Sequence, residues 1–335
     1  MDTLTHIVLG ACVGEVLAEK NIGRKAWIFG ALAQSLPDID AIGSLFLSPS
    51  ENLLAHRGIT HSLFFILMSS FVLAYISRTV LRTTSMNMRQ WAFFWGLQSL
   101  IHIFLDTFNN YGTGWFEPFY HARYSFNILF VADPFFTLPV LIAAVSFVFI
   151  KKQLRRRKWA IGGLTITSLY LLYACINKQL VNATVEKNIS STQYQQGRFL
   201  TTPTPLNTWL WYIAVADSNG YRIAHHSVFD HSDSLSFTFF PKLDSLVTNR
   251  TEDKDLQRLI VFSQNFYTLE KWGDSLIFND LRFGQIQGWS NPKGKFVFHY
   301  FLHAPAENMM VIQRGRFENF GMKEIRQLVK RIRGN

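Results

Sequence analysis

The chain has 335 residues, of which 48% are hydrophobic and only 17% are charged, with a formal net charge of +10. Because a soluble protein usually has about 25% charged residues, and because the shortfall lies in the first half, the composition excludes a wholly soluble chain. It predicts a membrane part followed by a water-soluble part. The positive charge does not indicate nucleic-acid binding, since its densest cluster, Lys151 to Lys158, lies between two apolar segments, where it sets membrane topology. The two cysteines lie in apolar stretches and predict no disulfide framework.

Two short helical patterns open the chain. Thr3 to Ala18 is interrupted by Glu15, and Ala26 to Leu36 is ended by Pro37. Since a membrane span needs about 20 apolar residues, neither pattern predicts a full crossing by itself. We expect a short N-terminal helical pair, partly embedded and packed against longer spans.

Longer apolar stretches follow and predict four full crossings. They are His61 to Leu81, Trp91 to Phe108, Asp133 to Ile150 and Trp159 to Leu180. The basic cluster Lys151 to Lys158 should face the cytoplasm. Counting crossings from that loop places the C-terminal half on the opposite side. In a bacterium the sequence therefore predicts a multi-pass protein of the inner (cytoplasmic) membrane, with its C-terminal domain on the extracytoplasmic side.

The pattern changes after Val181. Trp209 to Val215 and Tyr221 to Val228 alternate in polarity and flank Ser218-Asn219-Gly220, which is typical of a β-hairpin. Further strands are predicted at Leu235–Phe240, Leu276–Phe283 and Lys295–Leu302, and helices at Asp255–Phe266 and Gly321–Arg333. The predicted fold is therefore a polytopic α-helical membrane domain at 1–180, followed by an α+β, β-rich soluble domain at 181–335.

His102 and Asp106 lie four residues apart near the end of the second predicted span. On a helix this spacing puts an imidazole and a carboxylate on one face, where they can hold one divalent cation between them. Ionisable groups inside a membrane segment are costly and indicate a function. The alternative is a buried His–Asp hydrogen bond that fixes the helix against a neighbour.

The predicted topology brings more such groups to the same membrane face. The full set of candidate metal ligands is His6, Asp38, Asp40, His56, His61, His102 and Asp106. Imidazole and carboxylate ligands suit zinc, manganese or iron, and this set exceeds one tetrahedral site. It predicts one or two divalent ions, zinc first, with the remaining members orienting the ligands; a structural polar network is the alternative. Arg57 is a candidate substrate-binding residue that could clamp a phosphate, or an interfacial arginine that contacts lipid headgroups.

Four motifs, MDTLTH, LPDID, HRGITHS and HIFLDTFNNYG, carry a resemblance to a known family. In this order they resemble the YdjM-like (YbcI-like) family of bacterial inner-membrane proteins, described as membrane-bound metal-dependent hydrolases, over residues 1–135. The order of the motifs is also distantly similar to zinc-dependent phospholipase C and P1-type nuclease. That similarity implies a ligand set of His6, Asp40, one of His56 or His61, His102 and Asp106. The membrane half lacks the further His-x3-Glu pair of that group, which favours one or two ions over three.

These observations lead to two hypotheses of different classes. The first is a membrane-bound metal-dependent hydrolase that cleaves a phosphoester in a lipid or lipid-linked substrate, which reaches the site from the bilayer. The second is a non-catalytic membrane scaffold with a structural metal site, which presents its soluble domain to a partner. A transporter is less favoured, because transport sites usually lie between repeated halves and the sequence shows no internal repeat.

Overall fold

The computed structural model describes residues 1–81, 85–190, 198–250, 252–302 and 321–334. Its amino-terminal region is helical, which confirms the prediction for the first half of the chain. The elements there are α1 (Thr3–Ile22), α2 (Lys25–Ser35), α3 (Pro49–Ala55), α4 (Leu63–Val80), α5 (Met88–Asp106), α6 (Pro134–Phe149) and α7 (Gln153–Ser190), with short 3-10 helices at Pro37–Leu45 and Ile59–His61.

Membrane-spanning helices are fewer than the sequence predicts. Among the described residues, two helices, α4 and α7, are long and apolar enough to cross a membrane, so the prediction of four full crossings is wrong. Helix α6 has 16 residues, and its length of about 24 Å at the α-helical rise is less than the thickness of a bilayer's hydrocarbon core. Helix α5 has enough residues but carries buried Gln98, His102 and Asp106, which lower its mean hydropathy. The multi-pass topology and the side on which the C-terminal domain lies stay predictions.

Polar side chains define where the helices that carry the candidate site begin. Asp2 caps α1 and Ser62 caps α4, each by accepting a hydrogen bond at 3.0 Å from the backbone N–H three residues further on. Asn87 begins α5 with a capping box. Such a cap contributes about 1 kcal/mol to the stability of a helix. Because the caps set the first residue of each helix, they also set the helical faces on which His6 and His102 lie.

The close packing of α1 on α2 depends on glycine. A Cβ atom added to Gly10 or Gly30 would collide with the carbonyl oxygen of the other residue, and one added to Gly14 would collide with the carbonyl oxygen of Ala26. The two helix backbones therefore lie in direct contact, which only residues without a side chain allow. This contact fixes the end of α2, from which the chain continues into the segment that carries Asp38.

The carboxyl-terminal region contains two antiparallel sheets, so the predicted β-rich domain is confirmed. The first sheet has the order β1 (Phe199–Pro203), β2 (Leu210–Asp217), β3 (Gly220–Ser227) and β4 (Thr238–Pro241), and the second has the order β5 (Tyr267–Trp272), β6 (Ser275–Gln285) and β7 (Phe296–Phe301). The predicted hairpin pairs Asp217 with Gly220. Two further helices are α8 (Lys254–Phe262) and α9 (Met322–Ile332). Strands β1 and β5 were not predicted, because β1 ends in a proline and β5 carries adjacent charges.

The chain divides into two compact units. The first contains Met1–Gly43 and Ala55–Tyr173, and the second contains Ser44–Leu54 and Ala174–Asn335. The second unit thus includes the end of α7, whose Val181, Val185 and Ile189 pack in one cluster with Trp211, Ile213, Val215 and Ala224 of the first sheet. It also includes the short segment Ser44–Leu54, in which Glu51 Oε1 accepts a hydrogen bond from Arg258 Nη2 of α8 at 2.7 Å. The predicted domain boundary, between residues 180 and 181, falls inside α7.

Candidate metal centre

Four side chains from three parts of the helical unit converge on one point. They are Asp38 in the 3-10 helix after α2, His61 just before α4, and His102 and Asp106 near the end of α5. Each offers one ligand atom, and these atoms all lie within 4.8 Å of one another. The side chains of His61, His102 and Asp106 are at most 1% exposed, whereas that of Asp38 is 20% exposed. Three of the four side chains of the cluster are therefore buried, and the fourth, Asp38, is partly accessible to solvent.

The ligand atoms lie at polar-contact distance from one another. The Nε2 atoms of His61 and His102 are 3.2 Å apart. Asp106 Oδ2 lies 3.2 Å from His61 Nε2 and 3.4 Å from His102 Nε2. Asp38 Oδ1 lies 3.6 and 3.5 Å from the same two nitrogens. Two imidazole nitrogens and two carboxylate oxygens around one point are a ligand set that divalent transition metals accept.

The remaining ring nitrogens show how the two imidazoles are oriented. His102 Nδ1 lies 2.5 Å from the carbonyl oxygen of Gln34, which can only accept, so this nitrogen donates. His61 Nδ1 lies 3.3 Å from Asp40 Oδ2 and 3.0 Å from Thr60 Oγ1. With Nδ1 donating outward, the neutral form of each ring directs an Nε2 lone pair toward the cluster. Carbonyl and carboxylate acceptors behind metal-binding histidines orient ligands in this way.

Asp40, which the sequence nominated as a ligand, therefore lies behind His61 rather than in the four-membered cluster. It also accepts hydrogen bonds from the backbone N–H of Arg57 at 2.7 Å and from Thr60 Oγ1 at 3.1 Å. Its Oδ1 lies 3.1 Å from Nδ1 of His56. His56 is 36% exposed and its ring centroid is 6.1 Å from that of His61. The geometry separates the two histidines of HRGITHS, because His61 faces the cluster while His56 contacts Asp40.

Hydrogen bonds in and beside the cluster outweigh burial in setting the pKa values of Asp38, Asp40 and His61. Burial alone would raise the pKa of Asp38 and of Asp40, but hydrogen bonds with the neighbouring imidazoles outweigh burial and hold both pKa values well below the ordinary range. Burial alone would lower the pKa of His61, yet hydrogen bonds with Asp106, Asp38 and Asp40 raise the pKa to about 9. The carboxylates are thus ionised near neutral pH, and they stabilise a positive charge at this point, which is either the proton on His61 or a bound cation.

His6 lies at the edge of the cluster. Its ring stacks on that of His102 with a centroid distance of 3.7 Å, and its Nε2 lies 3.1 Å from Asp106 Oδ1. Asp106 Oδ1 also contacts the amino group of Met1. The Nδ1 atom of His6 is buried, and no residue in the described part of the chain forms a hydrogen bond with it. This arrangement puts His6 next to Asp106 but outside the group of four ligand atoms; its predicted role as a metal ligand stays a prediction.

Arg57 is buried and contacts the cluster directly. It is 3% exposed, and its Nε lies 3.1 Å from Asp106 Oδ2. Its Nη1 donates to Asn109 Oδ1 at 2.6 Å and its Nη2 to the carbonyl oxygen of Met1 at 3.2 Å. The guanidinium also lies 5.0 Å from the ring centroid of Tyr111. Such a position does not match an interfacial arginine in contact with headgroups; it places a fixed positive charge beside the cluster.

The residues present fit a divalent ion. Asp106 Oδ2 is fully buried and lies within 3.2 Å of Arg57 Nε and His61 Nε2, yet no described residue gives it a hydrogen bond that also meets the angular criterion, although buried carboxylate oxygens are normally satisfied. A cation at the centre of the cluster would satisfy this oxygen together with the two inward lone pairs. Sequence reasoning missed Gln34 and Asn109, which position His102 and Arg57. No motif signals the Gln34 contact, because it uses a backbone carbonyl, whereas Asn109 lies within the HIFLDTFNN stretch.

The fold and the cluster together define a class, namely helical membrane proteins with a buried His/Asp site that could hold a metal ion. The sequence profile of the YdjM inner membrane protein family matches residues 1–181, and the chain belongs to this family. The chain is 31% identical over 123 residues to the inner membrane protein YbcI of Escherichia coli K12, covering 36% of the chain and 69% of YbcI. It is 22% identical over 236 residues to the protein YfhP of Bacillus subtilis 168, covering 67% of each chain. No solved structure matches the chain significantly.

The predicted resemblance to the YdjM-like family is thereby confirmed, and with it the assignment to an inner membrane protein family. The matched region, residues 1–181, contains every member of the cluster. The more distant similarity to zinc-dependent phospholipase C and P1-type nuclease stays a prediction.

Proposed function

We propose that the protein is a membrane-bound metal-dependent hydrolase that cleaves a phosphoester in a lipid or lipid-linked substrate. The observation that carries this proposal is the cluster of Asp38, His61, His102 and Asp106, with its ligand atoms within 4.8 Å of one another. Zinc is the proposed ion, because two imidazoles and two carboxylates suit its tetrahedral preference. The partial exposure of Asp38 supports a site that a substrate can reach, since the other three ligands are sealed from solvent.

The residues of the chain have separate tasks in this proposal. His61 and His102 hold the ion, with their orientation fixed by Asp40 and by the Gln34 carbonyl. When bound, the ion supplies Lewis acidity and lowers the pKa of a bound water toward neutrality. Arg57 balances the charge of Asp106 and, by exchanging one of its present acceptors, would bind a non-bridging oxygen of the phosphate.

The decisive experiment measures hydrolysis by the purified full-length protein in lipid nanodiscs against a panel of phospholipids and lipid-linked phosphates. We expect activity that is lost with a chelator, restored by zinc, and lost in His102→Ala and Asp106→Ala variants that remain folded. The matched control is His121→Ala, since His121 is 78% exposed and lies outside the cluster. Activity that survives chelation or the His102→Ala substitution would refute the proposal.

A non-catalytic scaffold with a structural ion is the second proposal, and one observation favours it. The cluster supplies four protein ligands, of which three are sealed from solvent, and a closed set of four is typical of structural zinc. X-ray absorption spectroscopy of the zinc-loaded protein separates the two proposals. Four protein ligands and no water indicate a structural ion, whereas three or fewer protein ligands with a coordinated water indicate a catalytic one.

A further inference from the structure

Exposed aromatic side chains gather at the amino-terminal end of α4. In the loop between α5 and α6, Phe116 is 44% exposed, Phe119 is 77% exposed and Tyr120 is 60% exposed. Phe119 packs edge to face on Phe64 in the first turn of α4, with ring centroids 5.6 Å apart, and Phe64 is itself 45% exposed. We call these four residues the aromatic surface. So many exposed aromatic groups in one place indicate an interaction site.

The aromatic surface continues the apolar side of a helix that is suited to a membrane. Helix α4 is one of the two helices long and apolar enough to cross a bilayer. Along its length Leu67, Met68 and Phe71 are 52%, 45% and 53% exposed. If lipid covers these side chains, it also reaches Phe64 and the ring of Phe119 that packs on it. The exposed apolar side of α4 is therefore continuous with the exposed aromatic rings of the loop.

Backbone contacts hold the same loop against the segment that carries His61. The N–H of Leu63 donates to the carbonyl oxygen of Trp115 at 2.9 Å, and the N–H of Gly114 donates to the carbonyl oxygen of Arg57 at 2.9 Å. A Cβ atom at Gly114 would lie 3.6 Å from the Cα of Gly58 and 2.8 Å from the side chain of Glu117. The aromatic surface is therefore fixed to the stretch from Arg57 to Leu63 and lies beside the candidate metal centre in the fold.

We propose that the aromatic surface inserts into the interfacial layer of the leaflet that adjoins the amino-terminal end of α4, and that a lipid substrate enters the site from this layer. Aromatic rings are favoured at the boundary between headgroups and acyl chains, because an apolar ring is buried while its polar edge stays wet. Tyr120 carries such a polar group, and a hydrogen bond of 2.8 Å joins the neighbouring His121 Nδ1 and Glu117 Oε2, a polar pair that suits the headgroup side. The insertion stands on geometry alone; the lipid entry rests on the proposed function.

The insertion is tested by spin labelling of the full-length protein in nanodiscs of phosphatidylethanolamine and phosphatidylglycerol. The label is placed at Phe119→Cys in a background where Cys12 and Cys175 are replaced by alanine. Collision rates are measured with oxygen, which concentrates in lipid, and with a nickel chelate, which stays in water. We expect oxygen to dominate at position 119, and the nickel chelate to dominate at the control Phe229→Cys, since Phe229 is 48% exposed in the second unit.

Two results would overturn the insertion. Dominance of the nickel chelate at position 119 would show that the surface faces water. Low accessibility to both reagents, together with dipolar broadening between labels, would show that a second copy of the chain covers it. Neither outcome depends on any enzymatic activity, so a failure of the hydrolase proposal leaves this test intact.

The entry route is tested with whichever lipid the panel identifies as a substrate. In Phe119→Ser we expect KM for that lipid in vesicles to rise about tenfold, the scale of one lost aromatic burial. The same variant should keep the wild-type kcat and KM for a short-chain, water-soluble analogue. Phe229→Ser, which removes an exposed aromatic ring of the second unit, is the matched control and should change neither value. An unchanged KM for the vesicle substrate in Phe119→Ser would refute the entry route.

Discussion

Replacement of Asp38 and of Asp106 by asparagine should have different consequences, because Asp106 is fully buried against the permanent charge of Arg57, whereas Asp38 is 20% exposed. Asp106 Oδ2 lies 3.1 Å from Nε of Arg57, which is 3% exposed. Asp38 Oδ1 lies beside the imidazoles of His61 and His102, at 3.6 and 3.5 Å from their Nε2 atoms. Loss of one partner from a buried ion pair costs about 3–5 kcal/mol. Asp106→Asn should therefore lower the free energy of unfolding of the metal-free protein by about this amount, and Asp38→Asn should lower it much less.

Both substitutions should remove the stabilisation that zinc provides. At a free zinc concentration of about 100 times Kd, a ligand that binds only the folded protein adds about 2.7 kcal/mol to the free energy of unfolding. We expect this increment in the wild-type protein and in the control His121→Gln, and its absence in Asp38→Asn and Asp106→Asn. Each variant therefore has a distinct pair of unfolding free energies, one measured without zinc and one measured with zinc.

Unfolding in detergent can be followed by the fluorescence of the nine tryptophans, with chelator or with zinc buffered at a known free concentration. Zinc binding at the cluster is refuted if zinc does not stabilise the wild-type protein, or if Asp38→Asn keeps the full stabilisation by zinc. Equal destabilisation of the metal-free protein by the two substitutions would instead refute the charge-balance role of Asp106.

Three further predictions follow from other contacts. Asp40→Asn should weaken zinc binding about 10- to 100-fold without removing it, because it loosens the orientation of His61; competition with a chromophoric chelator measures this. Gly30→Ala should destabilise the helical unit by about 1–3 kcal/mol through overpacking, whereas Gly162→Ala, where a Cβ meets nothing within 4 Å, should not, as thermal unfolding will show. Burial lowers the pKa of His225 to about 3, so its neutral form stabilises the fold above about pH 6.5, and that contribution is lost as pH falls toward 3. His225→Gln should therefore lose less stability than the wild-type protein between pH 7 and pH 5 in denaturant titrations.

The sequence predicts the chemistry of the site better than the membrane topology. Hydropathy identifies α4 and the apolar part of α7, because both are long runs with few charges. The sequence prediction counts α5 as a full crossing, but Gln98, His102 and Asp106 lower the mean hydropathy of this helix. It also counts α6 as a full crossing, because an apolar helix of 16 residues resembles a membrane span until its ends are known. The missing information concerns helix ends and neighbours, which are tertiary properties.

The carboxyl-terminal half shows the same limit. The hairpin around Gly220 is predictable because its turn residues and alternating strands are local signals. The length of α7 is not predictable from the sequence, since the second half of this helix carries polar residues on one side. Val181, Val185 and Ile189 on the other side pack against the first sheet. Helix α7 therefore continues past the predicted domain boundary because tertiary packing compensates for low hydropathy.

Within the LPDID motif, the sequence nominates two carboxylates without distinguishing their roles, and the local backbone explains the outcome. Asp38 and Asp40 lie in a 3-10 helix, where two positions correspond to about 240° of rotation around the axis. One carboxylate therefore reaches the cluster while the other turns away toward Nδ1 of His61. An α-helix would also place the pair on different sides, about 200° apart, so the sequence pattern alone does not decide which residue faces the cluster.

The two histidines of HRGITHS are separated by a similar local cause. Arg57 adopts a left-handed conformation with φ of 60°, which is costly for a residue with a long side chain. The strain is compensated because this conformation lets the backbone N–H of Arg57 donate to Asp40 while its guanidinium lies beside Asp106. The chain then turns at Gly58, so that His61 enters the cluster and His56 does not. A left-handed residue and a 3-10 turn leave no periodic hydrophobic pattern in the sequence. The sequence therefore indicates which groups meet, whereas the direction of each side chain depends on the folded backbone.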